Sequence, residues 1–317
     1  MDISQTGKTV NEKQIAFIIC TNDQLKLDEC LMSIWKRPIM SNEEKPLVSV
    51  LCLTYNHEKS IAQCLDGFVD QETNFKYEVL VHDDCSTDGT LDIVLSYEKK
   101  YPDLFMVITE EENQYSKGVD IYDDIMMSLA SGKYIALCEG DDYWSGSHKL
   151  QKQFNFMESH PECSLVCHNT MVHYMNGMKP DALMNSWSDI HRLSEDDIFI
   201  CWDVHTSSYF LRRECFGRKE YQRKFSRIFE DYIELCNAAD CGDIYSLPEI
   251  MSVYNFQNPE SLTVTENKDI RSSLELIENR IKFLKEYDEH TSHRHSEVIL
   301  KRLNYQIELM KKIMGEC

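Results

Sequence analysis

The chain has 317 residues, 42% of them hydrophobic, enough for one large α/β domain with additions or for two small domains. Lys and Arg number 33 against 54 Asp and Glu, a net charge of −21. So acidic a surface excludes non-specific nucleic-acid binding and a polybasic membrane anchor, and any anionic substrate would need local neutralisation.

The first 45 residues contain an apolar run, Ile15 to Asn22, followed by Cys30-Leu31. It echoes Val48 to Asn56 followed by Cys64-Leu65, and predicts an N-terminal strand-helix extension over residues 1–45. From residue 46 to 145 short apolar runs alternate with helical patterns. Strands are expected at Leu47 to Leu53, Tyr77 to His82, Phe105 to Ile108 and Tyr134 to Cys138, with helices at Ser60 to Phe68, Thr90 to Lys100 and Asp120 to Ala130. Repeated β-α-β units with right-handed crossovers build a mostly parallel sheet, whose ligands bind beyond the carboxyl ends of the strands. The loops after Leu53, His82 and Cys138 should therefore converge on one cleft.

A helix from Lys149 to Ser159 and strands at Ser164 to Cys167, Ser207 to Arg213, Ile244 to Leu247 and Met251 to Tyr254 follow, with a helix from Asp231 to Ala239 among them. Beyond residue 266 the chain reads as two amphipathic helices, Ile270 to Tyr287 and His295 to Met314. Their stripes are Leu274, Ile277, Ile281, Leu284 and Ile299, Leu303, Ile307, Met310. Such stripes ordinarily pack on the main domain; a homodimer or peripheral docking to membrane-bound assembly machinery are the other uses. The thirteen Cys are odd in number, scattered and mostly within apolar segments, as expected of reduced core residues. With no signal-peptide pattern and no apolar run of bilayer length, the expected location is the cytoplasm, free or peripheral at the inner membrane face.

Three strand-tip loops carry candidate chemistry. Glu139-Gly140-Asp141-Asp142-Tyr143-Trp144 places three carboxylates at the end of a buried strand, where they repel one another unless a cation sits between them. A hard ion such as Mg²⁺ or Mn²⁺ takes oxygen ligands and also binds phosphates. Thr54-Tyr55-Asn56-His57-Glu58 offers an aromatic ring with hydroxyl, amide and carboxylate neighbours, suited to a planar base. In Asp83-Asp84-Cys85-Ser86-Thr87-Asp88-Gly89-Thr90 the last Ser, Thr and Asp read as caps of the helix that follows. Capping does not explain Asp83 and Asp84.

Together these stretches resemble the inverting family 2 glycosyltransferases: strand-Thr-Tyr-Asn, strand-Asp-Asp-x-Ser-Thr-Asp-Gly-Thr, then Gly-Lys-Tyr-Ile-x-x-x-x-x-Asp-Asp, with Trp144, Lys149-Leu150 and Gln153 continuing the pattern. The resemblance covers roughly residues 46–265. It implies an α/β catalytic domain with the mostly parallel Rossmann-like sheet of the A-type glycosyltransferase fold, followed by a C-terminal helical extension over 266–317. Residues 46–145 would bind a nucleotide-sugar, in all expectation a UDP-sugar, and 146–265 would form the acceptor side. Thr54, Tyr55, Asn56 and Glu58 would line the nucleoside pocket, Asp84 would hold the uracil or ribose, and Asp141 would bind Mn²⁺ or Mg²⁺. Glu139 and Asp142 would support it, Glu139 standing where many members have Asp.

An inverting transfer also needs a base for the acceptor hydroxyl. Phe229-Glu230-Asp231-Tyr232 matches the family pattern for it, with Asp231 as base and Glu230 as the alternative; both could instead only complement a helix dipole. His205 and Trp144 are candidates for the acceptor side, Trp144 as a platform for a sugar ring or else as a core residue. Asn255 and Gln257 stand where many members carry Arg and His, so Lys117 is considered as a substitute positive charge. The expected activity is transfer of a sugar, hexosyl or N-acetylhexosaminyl, to a glycan or lipid-linked hydroxyl in surface-polysaccharide synthesis. The alternatives are a degenerate donor-binding module and a nucleotidyltransferase, although the first strand is not followed by the basic, Gly-rich loop of the latter.

Overall fold

The first strand, β1 (Val48–Thr54), is buried along nearly its whole length because it runs through the middle of a sheet covered on both faces. The computed structural model describes residues 45–314 apart from 178, 202, 218–219, 224, 226–229, 257 and 259–269. The strand-helix extension expected before residue 45 lies outside these residues, as does Gln257.

In chain order the first half comprises β1, α1 (Ile61–Val69), β2 (Tyr77–Asp83), α2 (Thr90–Lys100), β3 (Phe105–Thr109), β4 (Tyr134–Leu137), the short β5 (Tyr143–Trp144) and α3 (Lys149–Ser159). β6 (Cys163–Tyr174), β7 (Ala182–Leu183), β8 (His191–Arg192), β9 (Phe210–Arg212), α4 (Glu230–Cys241), β10 (Asp243–Phe256), α5 (Ile270–His290) and α6 (Ser296–Met314) complete it. The sheet order is β3-β2-β1-β4-β9-β6-β10-β5. β3, β2, β1 and β4 are parallel, and so are β6 and β10; β9 runs antiparallel between the two groups.

Alternate residues of each strand feed opposite faces. Val50, Cys52, Ala136 and Phe210 pack with Ile61, Phe68 and Leu150 of the helices on one side. Leu51, Leu137 and Leu211 pack on the other side with Ile233 and Cys236 of α4. Phe283, Leu284 and Tyr287 of α5 and Val298 and Ile299 of α6 belong to that same core, and Tyr287 Oη donates to the Cys236 carbonyl (2.9 Å). The second stripe turns outward at its end, where Ile307 is exposed. Among the described residues no helix is long and apolar enough to cross a membrane.

Several elements differ from their sequence-based expectation, among them β6, which runs well beyond Cys167 to Tyr174. The segment expected as one helix from Asp120 begins as a wide π-type turn, Ile121–Met126, and Arg213 takes the carbonyls of Met127 and Ala130 at its end. The strand expected from Ser207 starts only at Phe210, because Thr206–Ser208 form a 3-10 turn closed on His205. The two strands expected at Ile244 and Met251 are one strand, β10, whose register slips near Pro248, a residue with no N–H for the ladder.

Entry into β4 depends on a close backbone approach. Buried Glu78 accepts from Ser49 Oγ (2.7 Å) and from the Ser131 N–H (2.7 Å), while Ser49 Oγ accepts from the Gly132 N–H (2.8 Å). A methyl group at Gly132 would lie 2.4 Å from Ser49 N and 2.7 Å from the Val48 carbonyl carbon, backbone atoms that cannot swing away. Gly132→Ala should therefore destabilise the domain by about 1–3 kcal/mol through overpacking. Thermal unfolding checks this: a melting temperature equal to that of the parent would show that the strand entry can relax.

Candidate active site

The parallel register brings three strand tips together. Thr54 at the end of β1 is level with Asp83 of β2, and the Gly140 N–H donates to the Leu53 carbonyl (2.9 Å). The first two loops are laced directly. Asn56 adopts a left-handed backbone (φ 56°), which Asn tolerates, and its Oδ1 accepts from the Thr87 N–H (2.7 Å). The Asn56 N–H donates to Ser86 Oγ (2.9 Å), and Glu58 accepts from the Gly89 N–H (3.3 Å). Ser86 and Thr87 thus tie the loops together, and only Asp88 faces the helix start, accepting from the N–H and hydroxyl of Thr90. The N-cap position itself is Gly89, and of the three expected caps only Asp88 reaches the helix start, at its first N–H. Thr54 is buried against His57 (3.2 Å), and Tyr55 leaves its ring partly exposed at the cleft.

Asp84 is buried and uses its two oxygens on a third segment, accepting from the backbone N–H groups of Gln114 (2.6 Å) and Tyr115 (3.1 Å). Sequence reading missed this anchoring of the 114–115 turn, and each oxygen keeps another lone pair. Lys117 lies on the same turn but is ion-paired to Glu112 at the surface. The 3-10 turn that ends at Gly118 places the Lys117 ammonium beside Glu112, both side chains exposed.

Carboxylate oxygens of Glu139, Asp141 and Asp142 lie within 4.8 Å of one another. Asp141 and Asp142 are buried, and burial, then the neighbouring Asp141 charge, hold the Asp142 carboxyl well above its ordinary range. Asn255 of β10 clamps the turn twice. Its backbone N–H donates to Asp142 Oδ1 (2.8 Å), and its side-chain Nδ2 donates to the Asp141 carbonyl (2.6 Å). The residue that looked like a loss in the sequence is a neutral clamp on the acidic turn.

His205 closes the other side. Its Nδ1 accepts from the Ser207 N–H (3.2 Å), which leaves the proton on Nε2, 3.6 Å from Asp142 Oδ2. Burial pushes the imidazole down to about 3, so it is neutral, and its ring stacks on Tyr254 (centroids 4.1 Å apart). Thr206, next in the chain, donates to Asp231 Oδ2 (3.2 Å) at the start of α4. Burial pushes the Asp231 carboxyl up to about 6, against the opposing effects of the Tyr232 N–H, the Thr206 hydroxyl and the Arg280 charge. Tyr254 joins both halves. Burial and then the charges of Asp142, Asp141, Glu139 and Asp231 hold its phenol well above the ordinary value. Glu230 opens α4 beside Asp231.

Trp144 is a core residue and not a platform. It is 3% exposed, its Nε1 donates to the Ser207 carbonyl (2.9 Å), Phe68 meets it edge-on, and the buried Lys149 ammonium lies 4.0 Å from its ring centre. Burial leaves no open face for a sugar. Tyr254 was not singled out by sequence reading; its only signal was adjacency to Asn255.

The sequence profile of Glycosyl transferase family 2 matches residues 49–213, and the chain belongs to that family. Uncharacterized protein Rv1520 of Mycobacterium tuberculosis is 36% identical over 209 residues, 65% of this chain and 58% of that protein's length. The UDP-Glc:alpha-D-GlcNAc-diphosphoundecaprenol beta-1,3-glucosyltransferase WfaP of Escherichia coli is 33% identical over 113 residues, 36% of this chain and 42% of that one. Among solved structures, Staphylococcus aureus TarS in complex with UDP-GlcNAc matches with a TM-score of 0.61 at 19% identity, over 84% of this chain and 74% of that one. That likeness is one of fold, and the fold is the A-type glycosyltransferase fold expected from the sequence.

The Asn255 clamp makes a specific prediction. Asn255→Ala removes one buried hydrogen bond and should cost about 1–2 kcal/mol. Asn255→Asp should cost more at neutral pH, because it sets a fourth carboxylate against the Asp141 carbonyl and the acidic turn. Its carboxyl, raised in the folded state, destabilises as pH rises, so the deficit should shrink on acidification. Chemical denaturation of both variants at pH 5 and pH 8 measures this, and equal deficits at the two pH values would contradict the clamp.

Proposed function

We propose that this protein is a metal-dependent inverting glycosyltransferase that moves one sugar from a UDP-sugar to a hydroxyl of a glycan or lipid-linked acceptor, in the building of a surface polysaccharide. The observation that carries the reading is the pairing of a three-carboxylate cluster with a raised-pKa carboxyl, Asp231, both within electrostatic reach of one tyrosine. The names of partial relatives support the donor and acceptor classes. WfaP is named for a UDP-Glc donor and a lipid diphosphate acceptor, and TarS, 33% identical over 113 residues, is a poly(ribitol-phosphate) beta-N-acetylglucosaminyltransferase.

The residues present fit a divalent cation. The donor set is oxygen only; burial, then the neighbouring Asp141 charge, raises Asp142, and a cation would relieve that repulsion. Asp141 and Glu139 would hold it, with Asp142 behind them fixed by Asn255. Bound there, the ion would supply positive charge for the donor diphosphate and the departing UDP. The rest falls to the chain. Tyr55 and the interlocked Asn56–Thr87 loops shape the nucleoside pocket, and Asp84 holds the 114–115 turn over it while accepting from the base. Asp231 takes the proton of the acceptor hydroxyl as that oxygen attacks the anomeric carbon. A carboxyl of pKa about 6 is ionised at neutral pH and yet basic enough for this task. The Thr206 hydroxyl keeps its Oδ2 oriented.

Two predictions test this. UDP should bind at least tenfold more tightly with Mn²⁺ or Mg²⁺, and Asp141→Ala should abolish that gain; calorimetry showing equal affinity with and without metal in the wild type would refute the metal reading. Asp231→Asn should leave UDP-sugar binding intact and lower turnover by about 10²–10⁴-fold. In the parent the rate should rise with pH through about 6, as Asp231 loses its proton. If Asp231→Asn turns over normally while Glu230→Gln does not, the base is Glu230.

A further inference from the structure

The 3-10 turn Thr206–Ser208 is held by more polar contacts than its capping requires. Ser207 and Ser208 are fully buried, and their carbonyls accept from Trp144 Nε1 (2.9 Å) and Gln153 Nε2 (2.7 Å). β10 seats the same turn through Ser252 and Tyr254, since residues two apart on a strand share a face. Ser252 Oγ lies 3.0 Å from Ser207 Oγ and 3.0 Å from Thr170 Oγ1, and the Tyr254 ring stacks on His205. Ser207 in turn holds the imidazole: its N–H donates to His205 Nδ1 (3.2 Å), and its Oγ lies 2.9 Å from the same nitrogen. A cap needs only the first of these two contacts. The second, together with the stacked tyrosine, fixes the ring with its other nitrogen, Nε2, toward the acidic turn.

An imidazole that accepts at Nδ1 carries its proton on Nε2. That N–H lies 3.6 Å from Asp142 Oδ2, too far for a hydrogen bond between the two. Asp142 Oδ1 is taken by the Asn255 N–H (2.8 Å), while neither Asp142 Oδ2 nor His205 Nε2 has a hydrogen-bond partner among the described residues. The His205 side chain keeps 12% of its surface open. A donor and an acceptor side by side match a hydroxyl group, which accepts from the one and donates to the other. A phosphate oxygen does not match, because it could accept from Nε2 only against the Asp142 charge. Thr206, beside His205, donates to Asp231 Oδ2 (3.2 Å), so this one dipeptide reaches from the carboxylate cluster to the carboxyl read as the base. In a direct displacement the migrating sugar occupies that interval. We propose, resting on the reading of the chain as a UDP-sugar transferase, that His205 Nε2 and Asp142 Oδ2 together bind one hydroxyl of the sugar being transferred, with Ser207 and Ser252 as positioning residues for the imidazole.

Calorimetry on the full chain with Mn²⁺ compares UDP with UDP-glucose and UDP-N-acetylglucosamine. In the wild type at least one of the two sugars should bind more tightly than UDP. His205→Asn should weaken that UDP-sugar by about threefold to tenfold while leaving UDP unchanged. Asparagine still accepts from the Ser207 N–H, so a His205 that only capped the turn would be replaced without loss. Among deoxy analogues of the bound sugar, one should cost the wild type the same factor and cost His205→Asn nothing further. Nitrogen NMR of labelled histidine gives a readout that a structural role would not move. The His205 signals, identified by their absence in His205→Asn, should show the proton on Nε2, and Nε2 should respond to the UDP-sugar and not to UDP. Ser252→Ala should change the Nδ1 signal and lower the affinity that the sugar adds, with UDP binding unchanged. A ratio of UDP to UDP-sugar affinity that is equal in the wild type and His205→Asn, or a proton on Nδ1, would overturn the hydroxyl site. So would a wild type in which neither sugar adds affinity and Nε2 does not respond. Binding of neither UDP nor a UDP-sugar would instead overturn the donor reading, a result distinct from an unchanged ratio. If His205→Asn fails to fold, the wild-type spectra and Ser252→Ala decide.

Discussion

Three carboxylates concentrated at the tip of a buried strand are the constraint on which this molecule is built. Like charges held within 4.8 Å in a partly enclosed place are unfavourable unless every neighbouring group answers them. The backbone and side-chain N–H groups of Asn255, both neutral donors, fix the turn from β10, and the neutral His205 faces it from the 3-10 turn. A neutral donor holds Asp142 in place without adding a charge of its own.

Asp231 depends on a different balance. Asp231 sits at the start of α4, where burial raises its carboxyl, while the Thr206 hydroxyl, the Tyr232 N–H and the Arg280 charge pull it back. The C-terminal helices are part of that balance. They share the core beneath α4 through Phe283, Tyr287 and Ile299, and they carry the guanidinium that acts on Asp231. Lys149 shows the same logic in the core. Burial pushes its ammonium down to about 7, yet its place over the Trp144 ring and its bond to Gln153 (2.8 Å) hold it behind the strand that delivers the acidic turn.

Much of this was legible in the chain itself. The apolar runs of β1, β2 and β4 announced a parallel sheet because strands buried on both faces must be continuous in their hydrophobicity. The Glu139 to Asp142 turn stood out because so much charge directly after such a run has few purely structural explanations. Less legible were the partners that come from far along the chain. Asn255 lies 114 residues from the Asp141 carbonyl it holds, and nothing in its own neighbourhood marks it as a clamp. Trp144 was open between platform and core because sequence shows which residues flank a loop and not which way a ring turns. Asp84 looked committed to the ligand because the amides of Gln114 and Tyr115 that also bind it are 30 and 31 residues away.

The sequence alone determined the fold class, the family and the residues of the three strand-tip loops, because these depend on local periodicity and on chemistry concentrated in short segments. Tertiary structure alone decided that Asn255 is a clamp, that Lys117 lies beside Glu112, that Trp144 is core, and that Arg280 and Arg302 share a cavity with Gln306. Each of those outcomes depends on how far one charge or ring lies from another across the fold. Distance through space, which sets both electrostatic strength and burial, is the quantity a linear sequence does not contain.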